Sequence, residues 1–585
     1  MRKIIKYLTG KEWCLILLGG FFVVCQVGLD LSIPDYMSKI MGVLQTPSPV
    51  MTDLYRYGGT MMGLAVLSLL ASLLVAFCAT KVATQFSAEL REKLFSKVAS
   101  FSMADLNRFS VSSLITRSTN DVTQVQKILA MGLQVMVKAP IMAIWAITKI
   151  QSKNVKWTLA TAITVVCLLV IVFGLVLGCM PKFKKIQRLT DDLNRVTREN
   201  LSGIRVVRAY NAEAYQEEKF AATNDQVTQT NLFTTRTMAF MMPTIQFAMN
   251  ALMLAIDFLG AGLIGSASGM KEKASLFSDM IVFSQYAIQV VMAFMMLVMI
   301  FVVLPRASVS AGRIEEVLRT QPSVTDGPFT EGLKGKDGEV EFRNVSFKYP
   351  DAEACVVHNI SFKAKKGECV AIIGRTGSGK STIVNMIPRF FDATDGEVIF
   401  DGRNVKTYEQ KALRSRIAYI SQKSVLFSGS VKSNILLGAE SAEENLESAA
   451  LSAQAGEFIR DLKDGYAANV SQGGTNFSGG QKQRLSIARG LAKNPELIIF
   501  DDSFSALDYK TDRRLRRDLE KTYGNLTRIL VSQRIGSIRD ADRIIVIEDG
   551  EMVGTGTHGA LLKTCPVYRE IALSQLSKEE LFDAE

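Results

Sequence analysis

A glycine-rich run in the last third of the chain has the residue types that bind phosphate groups. Its glycines let backbone N–H groups converge on phosphate oxygens, its lysine supplies a positive charge, and its first serine after the lysine can bind Mg²⁺. An apolar stretch, 370–373, precedes the run as a predicted strand, and a predicted helix follows it. The pattern indicates a nucleotide site with Mg²⁺ as a cofactor. The run consists of Gly374, Arg375, Thr376, Gly377, Ser378, Gly379, Lys380, Ser381 and Thr382.

Two acidic residues follow a second apolar stretch, 497–500, which is also a predicted strand. Asp501 stands where the second protein ligand of the Mg²⁺ ion is expected, beside Ser381. Asp502 comes directly after it. A phosphate loop followed by such a strand is improbable by chance.

A second anion-binding pattern lies between these two motifs, in Ser478, Gly479, Gly480 and Gln481. A serine before two glycines that open a helix presents backbone N–H groups to an anion. The pattern is too far along the chain to reach the same phosphates easily, so it indicates ATP held by a second molecule. Together these motifs resemble those of the ATP-binding cassette (ABC) family, in which two cassettes close head to tail over two ATP molecules.

The resemblance implies roles for three further residues. Tyr349 matches the aromatic residue that stacks on adenine, and Gln422 matches the glutamine that contacts Mg²⁺ or water. Asp508 ends the loop that, in the family, signals between the two ATP sites.

Two positions depart from the family pattern, and both lie where hydrolysis is driven. The family has glutamate where this chain has Asp502, whose carboxylate is drawn back by roughly 1 Å, a misplacement that can cost on the order of 100-fold in rate. The family has histidine where this chain has Gln533, which cannot carry a positive charge or shuttle a proton. We therefore expect a degenerate site in a heterodimer whose partner chain has the intact glutamate and histidine. The alternative is a homodimer that hydrolyses ATP slowly.

The elements that must position these residues follow a strongly apolar N-terminal half. Six of its stretches reach the roughly 20 apolar residues that cross about 30 Å of hydrocarbon, and the segment 161–180 has none of the polar stripes that buried core helices would show. The predicted spans are 12–34, 57–82, 128–150, 157–181, 238–266 and 278–304.

The whole chain resembles an ABC exporter half-transporter, and most closely the bacterial heterodimeric multidrug exporters. The resemblance implies an all-α transmembrane domain of six helices followed by an α/β P-loop ATPase domain, which is the type I (also called type IV) exporter architecture. We place the transmembrane domain at 1–320, a linker at 321–337, the ATP-binding domain at 338–575 and an acidic tail at 576–585. Six spans exclude a soluble cassette protein that acts on DNA or ribosomes.

The net charge of +11 is explained by basic residues beside the membrane spans and does not indicate that the protein binds nucleic acid. Basic residues flank the predicted spans at 2–11 and 182–198, and the positive-inside rule then places both termini in the cytoplasm. The positive-inside rule has one local exception, because a predicted outer loop contains Lys149, Lys153 and Lys156. We expect a multi-pass protein of the cell (inner) membrane with no nucleic-acid partner.

The substrate is the part that the sequence leaves most open. Methionine-rich fifth and sixth spans suit a surface for varied apolar shapes, although methionine equally fills gaps between helices. We take Asp257, Met295 and Met299 as candidates for a cavity that accepts hydrophobic or amphipathic, drug-like molecules, with Asp257 favouring cations. Lys138 is a second ionisable residue at membrane depth. A lipid or peptide exporter would share every motif above.

Overall fold

The computed structural model describes residue 4 and residues 6–45, 50–151, 154–350, 352–439 and 443–575. The predicted acidic tail, 576–585, and Lys153 lie outside these residues. Contacts divide the chain into two compact units. The first comprises Met1–Lys97 with Ser112–Thr320, and the second comprises Val98–Val111 with Gln321–Glu585.

Helices make up the described part of the N-terminal half. Two π-helical turns, Arg117–Asp121 and Gly132–Val137, interrupt the helical run that contains the third predicted span. The helices are α1 (Gly10–Leu44), α2 (Met51–Ala99), α3 (Met103–Phe109), α4 (Val111–Thr116), α5 (Val122–Met131), α6 (Lys138–Gln151), α7 (Val155–Ser202), α8 (Ile204–Ala209), α9 (Glu213–Ala239), α10 (Met241–Ser266) and α11 (Met270–Arg319).

Six helical stretches of this half are long and apolar enough to cross a membrane, so the predicted fold class of this half is confirmed. Their mean hydropathy lies between 1.7 and 3.0. Helices suit this task because a helix satisfies its own backbone hydrogen bonds where no water is present. The stretches are Gly10–Leu44, Met51–Ala99, Val111–Gln151, Val155–Ser202, Glu213–Ser266 and Met270–Ile300.

Acidic and basic side chains pair between α1 and α6 inside the first unit. The Lys138 ammonium lies 3.4 Å from an Asp30 carboxylate oxygen, and that carboxylate also accepts a hydrogen bond from Ser68. The Lys149 ammonium lies 2.6 Å from Asp35. An unpaired charge at membrane depth is costly, so these pairs explain how α1 and α6 keep ionisable residues in apolar helices.

The loop helix α3 packs with the C-terminal unit, although it lies inside the range predicted for the transmembrane domain. The Asp105 carboxylate accepts hydrogen bonds from the backbone N–H groups of Ser102 and Ser323, both at 3.0 Å, and Ala104 packs against the apolar core of that unit. Burial alone would raise the pKa of Asp105, but these hydrogen bonds outweigh it and lower the pKa. The chain turns away after α3 at Ser110, whose φ of 58° ends the helix.

The segment predicted as a linker, 321–337, also packs on the C-terminal unit. The N–H of Gly327 donates to the Tyr408 carbonyl at 2.9 Å, and the N–H of Leu333 donates to the Asp401 carbonyl at 2.8 Å. A side chain at position 327 would come within 2.2 Å of the Thr407 backbone. Glycine therefore allows this segment to lie directly against its neighbour.

The C-terminal unit is an α/β body in which two sheets carry the elements of the candidate site. The four-stranded sheet has the order β2-β1-β4-β5 and the six-stranded sheet β12-β11-β3-β10-β9-β6, in which all pairings except β11 with β12 are parallel. The strands are β1 (Val340–Phe347), β2 (Val357–Ala364), β3 (Cys369–Gly374), β4 (Asp395–Phe400), β5 (Arg403–Asn404), β6 (Ile417–Ile420), β7 (Gly429–Ser430), β8 (Asn469–Val470), β9 (Leu497–Asp501), β10 (Thr527–Val531), β11 (Arg543–Glu548) and β12 (Glu551–Gly556).

Strands β3 and β9 are buried along their whole length, which explains their continuous apolar sequences. Helices pack around the six-stranded sheet and, with the second sheet, bury two apolar cores. These helices are α12 (Lys380–Met386), α13 (Gln410–Arg416), α14 (Val431–Ile435), α15 (Glu443–Ser452), α16 (Gly456–Asp461), α17 (Gly479–Ala492), α18 (Tyr509–Thr522), α19 (Ile535–Ile538), α20 (His558–Thr564) and α21 (Pro566–Leu573).

A buried carboxylate lies in the tight turn between β4 and β5. Asp401 and Gly402, with φ of 51° and 77°, connect the two strands, as expected for an Asp-Gly hairpin turn. The Asp401 carboxylate is fully buried, accepts the Gly338 N–H at 2.7 Å and lies 3.2 Å from Arg416. Burial and the neighbouring Glu496 carboxylate raise the pKa of Asp401 to about 7.

This raised pKa predicts a pH-dependent stability that Asp401→Asn should reduce. The ordinary pKa is 3.8, so between that value and about 7 the folded state binds more protons than the unfolded state. The contribution of Asp401 to the free energy of unfolding therefore falls as the pH rises through this window. Asparagine keeps the turn, because Asn-Gly forms the same hairpin. We expect the change in midpoint of thermal unfolding between about pH 5 and about pH 8, measured on the full chain in detergent, to shrink in this variant.

The matched control is Asp337→Asn, because that exposed carboxylate pairs only at the surface with Lys366. It should leave the pH dependence unchanged. An identical pH dependence in Asp401→Asn and the wild type would contradict the assignment.

Candidate functional site

The carboxyl ends of four neighbouring parallel strands bring the predicted chemical residues together. Strand β3 leads into the glycine-rich loop, β9 ends at Asp501, and Gln533 and Gln422 follow the ends of β10 and β6. The register pairs Val531 with Asp501 and with Ile372, so these strand ends lie side by side. In open α/β sheets such an edge is where ligands bind.

The glycine-rich loop wraps around the ammonium group of Lys380. The ammonium donates hydrogen bonds to the carbonyls of Gly374 at 2.9 Å and Arg375 at 2.6 Å. Gly377 and Gly379 have φ of 85° and 93°, a backbone that other residues rarely adopt. Burial lowers the pKa of Lys380, while the nearby carboxylates of Asp502 and Asp501 oppose that shift. The loop thus holds a buried positive charge among backbone groups, as a phosphate cradle requires.

Asp501 joins three elements through its two carboxylate oxygens. The Ser381 hydroxyl donates to one oxygen at 2.8 Å, and the Tyr419 hydroxyl donates to the other at 2.8 Å. Burial and Asp501 raise the pKa of Tyr419, so its hydroxyl stays a donor. A hydroxyl and a carboxylate in contact are the hard oxygen ligands that Mg²⁺ prefers, so these residues fit that ion. Tyr419 could not be predicted as a member of this site from the sequence, where its only distinction is a position three residues before Gln422.

Asp502 lies beside this pair in an unusual backbone conformation. Its φ is 47°, and its N–H donates to the Val531 carbonyl at 2.9 Å. The Gln422 amide donates to its carboxylate at 3.0 Å. Burial raises the pKa of Asp502, and the charge of Asp501 adds to the shift. Asp502 is thus near the loop but held by Gln422 rather than by a basic residue.

Gln533 contacts the glycine-rich loop directly. The Thr376 hydroxyl donates to its side-chain oxygen at 3.3 Å, and the Gln575 amide donates to its carbonyl at 2.6 Å. Arg375 of the same loop forms two contacts of 3.0 and 3.1 Å with the Glu570 carboxylate. Residues after α20 therefore brace the side of the site where Gln533 lies, a contribution that local motifs do not reveal.

Tyr349 lies two residues beyond the end of β1, an inner strand of the four-stranded sheet. Its ring is half-buried and makes an edge contact with Phe391, with ring centroids 5.4 Å apart. Its hydroxyl lies 3.1 Å from the Thr382 hydroxyl at the start of α12. The structure thus places the predicted adenine-stacking residue next to the phosphate loop.

The second anion-binding pattern stands apart from this cluster. Ser478 begins α17 as its N-cap: the Gln481 N–H donates to the Ser478 hydroxyl at 3.3 Å, and the Gln481 side chain accepts from the Ser478 N–H at 2.9 Å. Ser478 and Gly479 are exposed. Across the described residues no hydrogen bond links them to the glycine-rich loop. Asp508 caps α18 by accepting the Thr511 N–H at 2.9 Å and is also exposed.

The substrate candidates lie in different surroundings within the first unit. Asp257 is exposed on α10, and no other described residue forms an ion pair or hydrogen bond with its side chain. Met295 packs against the apolar core, whereas Met299 is exposed and lines a cavity of about 20 Å³ beside the second π-helical turn. Lys138 is paired with Asp30. This partner was not predicted from the sequence, although an aspartate inside the first apolar span could have indicated it.

Family models match both halves of the chain. The one described as the ABC transporter transmembrane region matches residues 16–302, and the one described as ABC transporter matches residues 357–505. These ranges overlap all six apolar stretches and contain most of the nucleotide-binding motifs.

Relatives of similar length extend this result. An uncharacterized ABC transporter ATP-binding protein of Mycobacterium tuberculosis is 38% identical over 526 residues, which cover 89% of each chain. An ATP-dependent lipid A-core flippase of Pseudomonas fluorescens is 32% identical over 499 residues, covering 84% of this chain and 81% of the flippase.

A solved structure has the same fold. A bacterial Atm1-family ABC exporter with ATP bound superposes with a TM-score of 0.79 and 23% identity, covering 98% of this chain and 100% of that one. The two family models, together with the relatives that are 38% and 32% identical over 89% and 84% of the chain, establish the family. The chain belongs to the ABC transporters as an exporter half-transporter, with its transmembrane region and its ATP-binding domain fused in one polypeptide.

Proposed function

We propose that this chain is one half of an unequal pair that uses ATP to export hydrophobic or amphipathic, drug-like molecules. It contributes a degenerate ATP site and the intact signature that completes its partner's catalytic site. The observation that carries the proposal is the position of Asp502 and Gln533 beside the phosphate loop, with Asp502 held by Gln422 at 3.0 Å.

We assign the ATP-binding roles to residues that lie at or near the carboxyl ends of the strands described above. Tyr349 stacks on adenine, the phosphate loop cradles the phosphates, and Ser381, Gln422 and Asp501 hold Mg²⁺. The ion, when bound, neutralises charge on the phosphate oxygens. The phosphate-loop residues are Gly374, Arg375, Thr376, Gly377, Ser378, Gly379, Lys380, Ser381 and Thr382.

Hydrolysis at this site is slow because neither Asp502 nor Gln533 can perform the function of the glutamate and histidine that the family has at these positions. The Asp502 carboxylate is shorter than glutamate, its burial favours the protonated form, and it accepts a hydrogen bond from Gln422. Gln533 keeps a contact with Thr376, yet its amide holds no positive charge near the phosphates. The site therefore keeps ATP bound and turns it over poorly.

The exposed start of α17 is the part that serves the partner. The N–H groups of Ser478 and Gln481 bond within the helix cap, and the N–H groups of Gly479 and Gly480 between them would meet ATP on the phosphate loop of a second chain. Asp508, also exposed, would signal between the two sites. The partner supplies the glutamate and histidine that this chain lacks.

Transport uses the membrane half, in which Asp257, Met295 and Met299 line the substrate path. The chain lies in the inner membrane of the cell with both termini in the cytoplasm. An exposed carboxylate on an apolar helix needs water, a cation or a partner chain beside it. We therefore assign cationic amphipathic molecules to Asp257. Lipid export is the second candidate, because the flippase relative is 32% identical to this chain.

ATP turnover by the purified chain tests the degenerate site. Alone, the chain should hydrolyse ATP far more slowly than about 10 s⁻¹, the median for enzymes. Asp502→Glu combined with Gln533→His should raise the rate by at least about tenfold, because it restores the carboxylate reach and the titratable ring. The measurement is phosphate release in detergent or lipid nanodiscs.

Lys380→Ala in the double variant is the control and should abolish the gain. Thermal unfolding checks the fold of Asp502→Glu, because the longer side chain is less favourable at a φ of 47°. A typical enzymatic rate for the wild-type chain alone would refute the degenerate site. Slow turnover that does not increase when the partner is added would support the slow-homodimer alternative.

Transport of a cationic dye tests Asp257. In vesicles that contain this chain and its partner, Asp257→Asn should raise the KM for ethidium about tenfold, because a carboxylate is lost beside the cation. Asp257→Glu keeps the charge and should restore transport. A neutral apolar dye is the matched substrate and should be unaffected. Equal ethidium transport by wild type and Asp257→Asn would remove Asp257 from the substrate path.

A further inference from the structure

A cavity of about 270 Å³ lies in the ATP-binding domain, at the end of the six-stranded sheet opposite to the phosphate loop. Cys369 and Arg528, which are paired neighbours near the amino ends of β3 and β10, are among its lining residues. The phosphate loop follows the other end of β3, so the length of the strand, roughly 17–20 Å, separates the two places. The cavity is therefore distinct from the ATP site.

Three arginines without partners line this cavity. The guanidinium groups of Arg513, Arg517 and Arg528 have no hydrogen bond or ion pair with any other residue that the structure describes, and the Nε atom of Arg528 is buried. Arg516, which also lines the cavity, is different because it pairs with Asp540 at 3.2 Å. The buried Arg528 Nε is a donor of the kind that is normally satisfied, and the exposed guanidinium groups of Arg513 and Arg517 line the same cavity, so the three together indicate an anionic ligand.

The other charged lining residues neutralise this charge only in part. Asp540 pairs with Arg516, whereas Asp542, which accepts the N–H of Cys369 at 2.8 Å, and Glu520 place two carboxylates against the three free guanidinium groups, so one positive charge remains in excess. Burial raises the pKa of the Cys369 thiol to about 11, so the thiol stays neutral. Phe504 and Leu519 are buried and give the cavity an apolar floor.

The helix that forms one wall extends the positive charge onto the surface. Lys510, Arg514, Arg517 and Lys521 are exposed and recur along α18 at spacings of three and four residues, which places them on one face. A stripe of one sign raises the local potential and attracts anions to the cavity beside it.

We infer that this cavity binds a phosphorylated small molecule, with its phosphoryl group between Arg513, Arg517 and Arg528 and its apolar or planar body on Phe504 and Leu519. A phosphoryl group carries close to two negative charges and offers several oxygens, which matches guanidinium forks better than a single carboxylate does. The volume suits a ligand at the small end of the usual range for binding pockets. The site is independent of the exporter function proposed above.

Binding of 4-methylumbelliferyl phosphate to the full chain in detergent tests the site, by equilibrium dialysis with fluorescence detection. The chain carries Lys380→Ala, so that the phosphate loop does not contribute. We expect saturable binding that 4-methylumbelliferone, which lacks the phosphoryl group, does not show. The affinity should fall severalfold between about 0.05 M and about 0.3 M NaCl, because the contacts are partly exposed.

Variants on one helix separate the site from general charge effects. Arg513→Gln with Arg517→Gln should weaken binding at least about tenfold, and both residues are exposed, so folding is not at risk. Arg514→Gln and Lys510→Gln together remove the same charge from α18 without touching the cavity, and should change the affinity less than about twofold. Glu520→Gln should strengthen binding.

Two outcomes would overturn the assignment. One is absence of phosphate-dependent binding in the Lys380→Ala chain. The other is equal weakening by the two double variants, which would indicate nonspecific attraction to the stripe, as for a nucleic acid. Neither outcome bears on ATP hydrolysis, so failure here is distinguishable from failure of the exporter proposal.

Discussion

The ATP-binding end of this protein depends on the two hydrogen bonds that the Asp501 carboxylate accepts. Ser381 lies at the start of the helix after the phosphate loop, and Tyr419 lies on the strand that leads to Gln422, so one side chain ties both to β9. Removing it would leave the half-buried Tyr419 hydroxyl without its acceptor, at a cost of up to about 1–3 kcal/mol, whereas the hydroxyl of the exposed Ser381 could turn to water. The relative positions of Lys380, Asp502 and Gln422 all rest on this junction.

The membrane half obeys a different constraint, which is the cost of charge in hydrocarbon. Asp30 with Lys138 and Asp35 with Lys149 meet this constraint within the chain, because each carboxylate has a basic partner. Tyr286, fully buried, adds its hydroxyl to Asp35 at 2.6 Å and so joins α11 to the pair. Asp257 has no such partner among the described residues, whereas Lys138 has one. The charge of Asp257 must therefore be stabilised by water, a cation or another chain.

Sequence reasoning worked where a feature is local. The phosphate loop, the acidic strand and the apolar spans are each encoded in consecutive residues, and the structure has a loop, a strand and helices at those places. It failed where the partner is distant in sequence: Asp30 for Lys138, Tyr419 for Asp501, and Ser323 for Asp105 are separated by long stretches of chain. The glycine-rich stretch 321–337 shows the same limit, because composition predicts a linker while backbone pairing with residues 401–409 holds it on the domain.

The left-handed backbone at Asp502 has a consequence for how such a site changes over generations. Aspartate occupies a φ of 47° more readily than glutamate, so the backbone and the chemistry favour different residues at one position. In a chain whose partner performs the hydrolysis, only the backbone preference would remain under selection. Replacement of glutamate would then be easy and its return difficult, so that division of labour between two copies would tend to become irreversible.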